Sequence, residues 1–153
     1  MAINPEHMKK ILYILTALLI LSACGEKNSD PTKKEPTFED KLCAEWHSEM
    51  LPMDNADIYL QLNKDKTFEL YQKIGEGAHR LYRGTWNIDK NILTGVYNDG
   101  ESWAAAYAAA MSDKFLTLTS QNDAAEESVF VKEEIPAEVK ETCEVMVKSP
   151  SAY

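Results

Sequence analysis

From Lys41 onward, apolar and polar residues alternate in short runs that turns interrupt. Leu42, Ala44 and Trp46 point one way; Cys43, Glu45 and His47 point the other. Ile58, Leu60 and Leu62 alternate with Tyr59 and Gln61, and Phe68, Leu70 and Gln72 share a face. Tyr82, Gly84, Trp86 and Ile88 alternate with Arg83, Thr85 and Asn87. A period of two puts successive side chains on opposite faces, so each run predicts a strand with one buried face. Turn residues separate the runs: Asn63-Lys64-Asp65-Lys66, Gly75-Glu76-Gly77, Asp89-Lys90-Asn91, Asn98-Asp99-Gly100 and Ser112-Asp113-Lys114. Ile92–Tyr97, Trp103–Met111, Phe115–Ser120 and Ser128–Lys132 complete the set, with Gln121–Glu127 as a longer polar loop. About eight strands joined by hairpin-length links predict an all-β, up-and-down antiparallel barrel or sandwich.

Two segments depart from this alternation. Ala104-Ala105-Ala106 and Ala108-Ala109-Ala110 flank Tyr107, and alanine prefers helix. A helix there would break the meander, so the segment is read as a strand with Trp103, Ala105, Tyr107, Ala109 and Met111 on one face. Near the C-terminus, Ile135, Val139, Cys143 and Met146 recur at helical spacing behind Pro136. That pattern predicts a short amphipathic helix over Pro136–Val147, lying on the barrel.

The N-terminus follows a third pattern. Lys9 and Lys10 precede a nearly continuous apolar run, Ile11 to Leu21. It is shorter than the ~20 residues that span a bilayer, and its basic flank marks a signal peptide. The ending Leu21-Ser22-Ala23-Cys24 resembles the lipobox of bacterial lipoproteins. The resemblance implies that Met1–Ala23 is removed and that Cys24 carries a lipid, anchoring the protein to a membrane of the cell envelope. Residue 25 is Gly rather than Asp, which in some bacteria directs such proteins to the outer membrane. Gly25–Thr37 holds no large apolar residue, so residues 24–40 are expected to be a flexible linker and residues 41–153 the folded domain.

Export also bears on the other two cysteines. With Cys24 lipidated, Cys43 and Cys143 remain, and an oxidising compartment predicts a disulfide between them. Closing so long a loop would stabilise the fold by ~4–5 kcal/mol on the chain-entropy model. Two unpaired thiols are the alternative. The chain carries 25 acidic against 16 basic side chains, a net −9. Nucleic-acid binding needs clustered Lys and Arg, so this balance argues against it and suits an exported, well-solvated protein.

The domain resembles the lipocalin-like domains of bacterial surface lipoproteins. Ala44-Glu45-Trp46 stands where lipocalins usually have Gly-x-Trp in the first strand. Gly84-Thr85-Trp86, preceded by Tyr82-Arg83, lies in a middle strand, and Phe115–Ser120 matches a typical late strand. The resemblance implies an eight-stranded lipocalin-like barrel, bottom-plugging Trp46 and Trp86, and a binding role with no named ligand.

Whether the barrel is hollow depends on its inward residues, since a barrel of about eight strands either fills itself or holds one small ligand. Ala105 and Ala109 beside Trp103 and Tyr107 would leave space with flat apolar walls; equally, they would let bulky neighbours pack closely. Trp103, Tyr107, Ala105, Ala109 and Trp86 are the candidate ligand-binding residues, with Arg83 a candidate polar contact. No catalytic motif, cofactor fingerprint or metal-ligand spacing is present, and His47 and His79 read as separate surface residues. The expectation is a non-enzymatic, membrane-anchored barrel that binds a small hydrophobic or amphipathic molecule. The alternative is an interaction module, an inhibitor or accessory subunit acting through the loops Gly75–His79 and Gln121–Glu127.

Overall fold

The alternating runs form eight strands that close on themselves: β1 (Glu45–Met50), β2 (Ala56–Leu62), β3 (Thr67–Ile74), β4 (Arg80–Asp89), β5 (Ile92–Tyr97), β6 (Tyr107–Met111), β7 (Phe115–Ser120) and β8 (Glu127–Lys132). A computed structural model describes residues 34–150. The expected leader Met1–Ala23, the expected lipid site Cys24 and the linker as far as Lys33 lie outside the described residues. Each strand pairs antiparallel with the next, and β8 returns to β1, giving the expected up-and-down barrel. Among the described residues, no helix is long and apolar enough to cross a membrane.

The period-two faces point as the sequence requires. Trp46, Leu60, Leu62, Phe68, Trp86, Leu93, Leu116, Leu118 and Phe130 form one interior cluster. Each such burial stabilises the fold by roughly 1.5–3 kcal/mol. Opposite parity puts Tyr59, Tyr71 and Leu81 on the outer face, in a second cluster with Ile135.

The lower end is solid. Helix α1 (Phe38–Leu42) begins three residues inside the segment expected to be linker. Thr37 caps it: its hydroxyl accepts from the Asp40 N–H while the Asp40 carboxylate accepts from the Thr37 N–H at 2.9 Å. Phe38 and the fully buried Leu42 then pack on the interior cluster. Trp46 Nε1 donates to the Leu42 carbonyl at 3.0 Å, and Trp86 Nε1 donates to the Asn63 carbonyl at 3.1 Å. Lys66 lies 4.2 Å over the Trp86 ring and pairs with Glu39 at 2.7 Å.

Three expectations are corrected. Trp103–Met111 is not one strand: β6 starts at Tyr107, and residues 98–106 form a loop that folds back into the barrel. Trp103 N–H donates to the Gly95 carbonyl, and the indole covers Gly95, where any Cβ would collide with the ring. That insertion occupies the space a longer β6 would need. The C-terminal helix is α2 (Ala137–Thr142), with Pro136 as its N-cap. It stops at Cys143 because the chain becomes β9 (Glu144–Val145), parallel to β4. Glu144 N–H donates to the His79 carbonyl and Met146 N–H to the Leu81 carbonyl. β5 covers the β4 edge only from Gly84 onward, so these earlier backbone groups need another partner.

The third correction concerns the disulfide: Cys43 and Cys143 are both free thiols. Cys43 follows α1 and packs on the interior cluster, whereas Cys143 follows α2 and packs on the outer one. Burial, then the nearby Glu39 charge, pushes the Cys43 thiol pKa up, and Cys143 Sγ sits 3.3 Å from the Lys140 carbonyl.

Candidate functional site

The upper end is hollow. Its loops are Leu51–Asn55, Gly75–His79, Asn98–Ala106 and Gln121–Glu126, and beneath them lies an open cavity of about 320 Å³. Strands supply the apolar walls, with Ile58 and Leu60 from β2, Leu70 from β3, Leu118 from β7 and Phe130 from β8. Leu51, Pro52 and Met53 form one side of the rim. Tyr97, Trp103 and Tyr107 form an aromatic side, and Gln72, Ser128 and Glu126 add polar groups. The volume lies at the small end of the ~300–1,000 Å³ typical of ligand pockets.

The aromatic side is a chain of edge-to-face contacts. Phe68 meets Tyr97 at 5.6 Å and Trp103 at 5.1 Å between ring centroids, and Trp103 meets Tyr107 at 6.1 Å. Such pairs each add ~0.5–1.5 kcal/mol beyond area burial. Burial, then the neighbouring Tyr107, Tyr82 and Asp99, pushes the Tyr97 pKa well up. Burial, then Glu126, raises that of Tyr107. Trp103 Nε1 is buried without a hydrogen-bond partner, the one such side-chain atom among the described residues.

Of the residues expected to bind ligand, Trp103 and Tyr107 line the cavity. The others do not. Ala105 lies in the folded-back loop, and it is its neighbour Ala104 that faces the cavity, because the segment is not a strand. Ala109 is buried within the interior cluster below. Trp86 plugs the lower end, as its assignment to the barrel bottom required. Arg83 points outward and pairs with Glu69 at 2.7 Å. The sequence did not single out the rim residues Leu51-Pro52-Met53, and only their isolated apolar character beside a turn marked them. The chain's C-terminal stretch also reaches the rim: Ser149 N–H donates to Asp99 Oδ2 at 2.6 Å and Pro150 borders the cavity.

A polar cluster sits on the outer face, joining residues that the sequence kept apart. His47 Nε2 lies 2.9 Å from Asp57 Oδ1, and its Nδ1 lies 2.8 Å from Glu133 Oε2. His79 Nε2 lies 3.1 Å from the other Asp57 oxygen, and His79 is only 8% exposed. The His47 ring stacks on Tyr59 at 4.2 Å. Burial acts to lower the His47 pKa, but hydrogen bonds with Asp57 and Glu133, and their charges, outweigh it and raise it. His47 and Asp57 meet because adjacent strands bring their outward faces together. Long-range pairing of this kind leaves no local sequence signal. The groups form a chain rather than converging on one point, and among the described residues no three His, Cys, Asp or Glu side chains are arranged to hold a metal ion.

Comparison with protein-family models, with curated proteins and with solved structures found no match to this chain.

Proposed function

We propose that this protein is an exported lipoprotein, anchored to a cell-envelope membrane through Cys24, whose barrel binds or carries one small hydrophobic or amphipathic molecule. The observation that carries the ligand reading is the upper cavity of about 320 Å³, walled by leucines and by Trp103 and Tyr107 and open between the loops. A barrel that served only as a scaffold for its loops would gain stability by filling that space, since apolar surface removed from water contributes roughly 25 cal/mol per Å². The anchoring part rests on the apolar run behind Lys9 and Lys10 and on the Leu21-Ser22-Ala23-Cys24 ending.

Native mass spectrometry of the protein purified from its own host tests the ligand reading. A stoichiometric extra mass, lost on denaturation, is expected. A clean apo mass, together with tryptophan fluorescence indifferent to a panel of alkyl and aromatic amphiphiles, would overturn it in favour of a loop-mediated interaction module. For the anchor, Cys24→Ser is expected to release the protein from membranes; continued attachment after signal cleavage would refute the lipid assignment.

A further inference from the structure

The charge of the bound molecule can be read from the walls of the cavity. Glu126 is the one Asp or Glu that lines it, and no Lys, Arg or His does. The basic side chains nearest the lining residues in sequence, Lys73 beside Gln72 and Lys148 two residues before Pro150, do not themselves line the cavity, and Arg83 pairs with Glu69 on the outer face. A carboxylate or sulfonate head entering this cavity would shed water and find no cation, while facing a carboxylate at the rim. An acidic chain, net −9, adds a field of the same sign.

A positive head meets the opposite conditions. Tyr97, Trp103 and Tyr107 line one wall, and an aromatic ring attracts a cation through its quadrupole. Glu126 stands at the same side, close enough that its charge acts on the Tyr107 hydroxyl. The remaining walls, with Ile58, Leu60, Leu70 and Phe130, are suited to an alkyl or ring body. We propose that the cavity selects a cationic amphiphile, an apolar body bearing one protonated amine or quaternary ammonium, with its head between Glu126 and Tyr107. This rests on the carrier reading above and narrows it.

Isothermal titration of the purified full chain with decyltrimethylammonium and with decanoate, both below micelle formation, tests it. The two probes share a chain and differ in head charge. The cation is expected to bind about tenfold more tightly or better. Glu126→Gln is expected to weaken the cation about tenfold and leave decanoate within about threefold. Ala104→Trp, which fills the cavity from its rim, is expected to block both. Decanoate binding as tightly as the cation, or an unchanged preference in Glu126→Gln, would overturn the charge assignment and leave the carrier reading standing. Failure of both probes, with no bound mass in the native protein, would overturn the carrier reading as well.

Discussion

The two ends of the barrel use the same residue type in opposite ways. At the closed end, Trp46 and Trp86 are buried and each donates its indole N–H to a backbone carbonyl, of Leu42 and of Asn63. At the open end, the Trp103 indole is held by neighbouring rings and by Gly95, and its Nε1–H has no partner. A buried donor without an acceptor costs ~1–3 kcal/mol. The lower tryptophans therefore tie backbone to backbone and fix the barrel, whereas Trp103 is packed in place without being tied. A side chain placed in that manner can shift when something enters beside it. The difference teaches where stability resides: one end is built to stay shut and the other is left open.

The comparison breaks most visibly if the closed end is removed. Trp46→Ala is expected to cost about 3–5 kcal/mol in urea denaturation, from lost burial and a freed Leu42 carbonyl. Gly95→Ala is next. Its methyl collides with the indole, so Trp103 is expected to be expelled, with a red-shifted emission and a loss of about 1–3 kcal/mol. The sharpest contrast pairs two identical changes. Trp86→Phe is expected to lose about 1–2 kcal/mol, while Trp103→Phe, which deletes an unpartnered donor, is expected to be neutral within about 0.5 kcal/mol. A cost for Trp103→Phe equal to that for Trp86→Phe would end the distinction between the ends.

Smaller effects belong to the outer wall. Because His47 has its folded pKa raised, its pairing with Asp57 and Glu133 contributes fully below about pH 6.5 and is lost as pH rises through the raised value. The melting midpoint is expected to fall by about 2 °C between pH 6 and 8, and His47→Gln is expected to remove that slope. Least of all, reduction with dithiothreitol is expected to leave the midpoint unchanged, because Cys43 and Cys143 are free. A fall on reduction would restore the disulfide.

The barrel was legible because its signal is local. Ile58-Leu60-Leu62 and Tyr82-Gly84-Trp86 alternate, and turn residues separate them, so strand identity and facing follow from neighbours in sequence. The cavity was half legible. Trp103 and Tyr107 were recognisable as large aromatics beside alanines, but their common strand was not real. Nothing near Trp103 announces that Gly95, on another strand, leaves room for its ring. The same blindness to distant partners explains the missed His47–Asp57–His79 chain and the expected disulfide between cysteines that pack on different clusters. Cysteine count and compartment say that two thiols are able to pair; only the fold says on which side of a sheet each lies.

The inserted loop also leaves a fault line. β2 pairs with β3 from Ala56 through Leu62, whereas β5 and β6 pair only where Ile92 meets Ala108 and Leu93 meets Tyr107. Above that point the wall is closed by the isolated bridge between Val96 and Ser102, with Trp103 N–H on the Gly95 carbonyl and Tyr97 N–H on the Glu101 carbonyl. Parting β5 from the loop breaks few backbone hydrogen bonds, so amide hydrogen exchange at Trp103 and Ser102 should outrun exchange in β2 and β3 by orders of magnitude. A molecule held inside would then have a lateral exit through the wall as well as an axial one between the loops, and its release rate would be set by the strength of that seam.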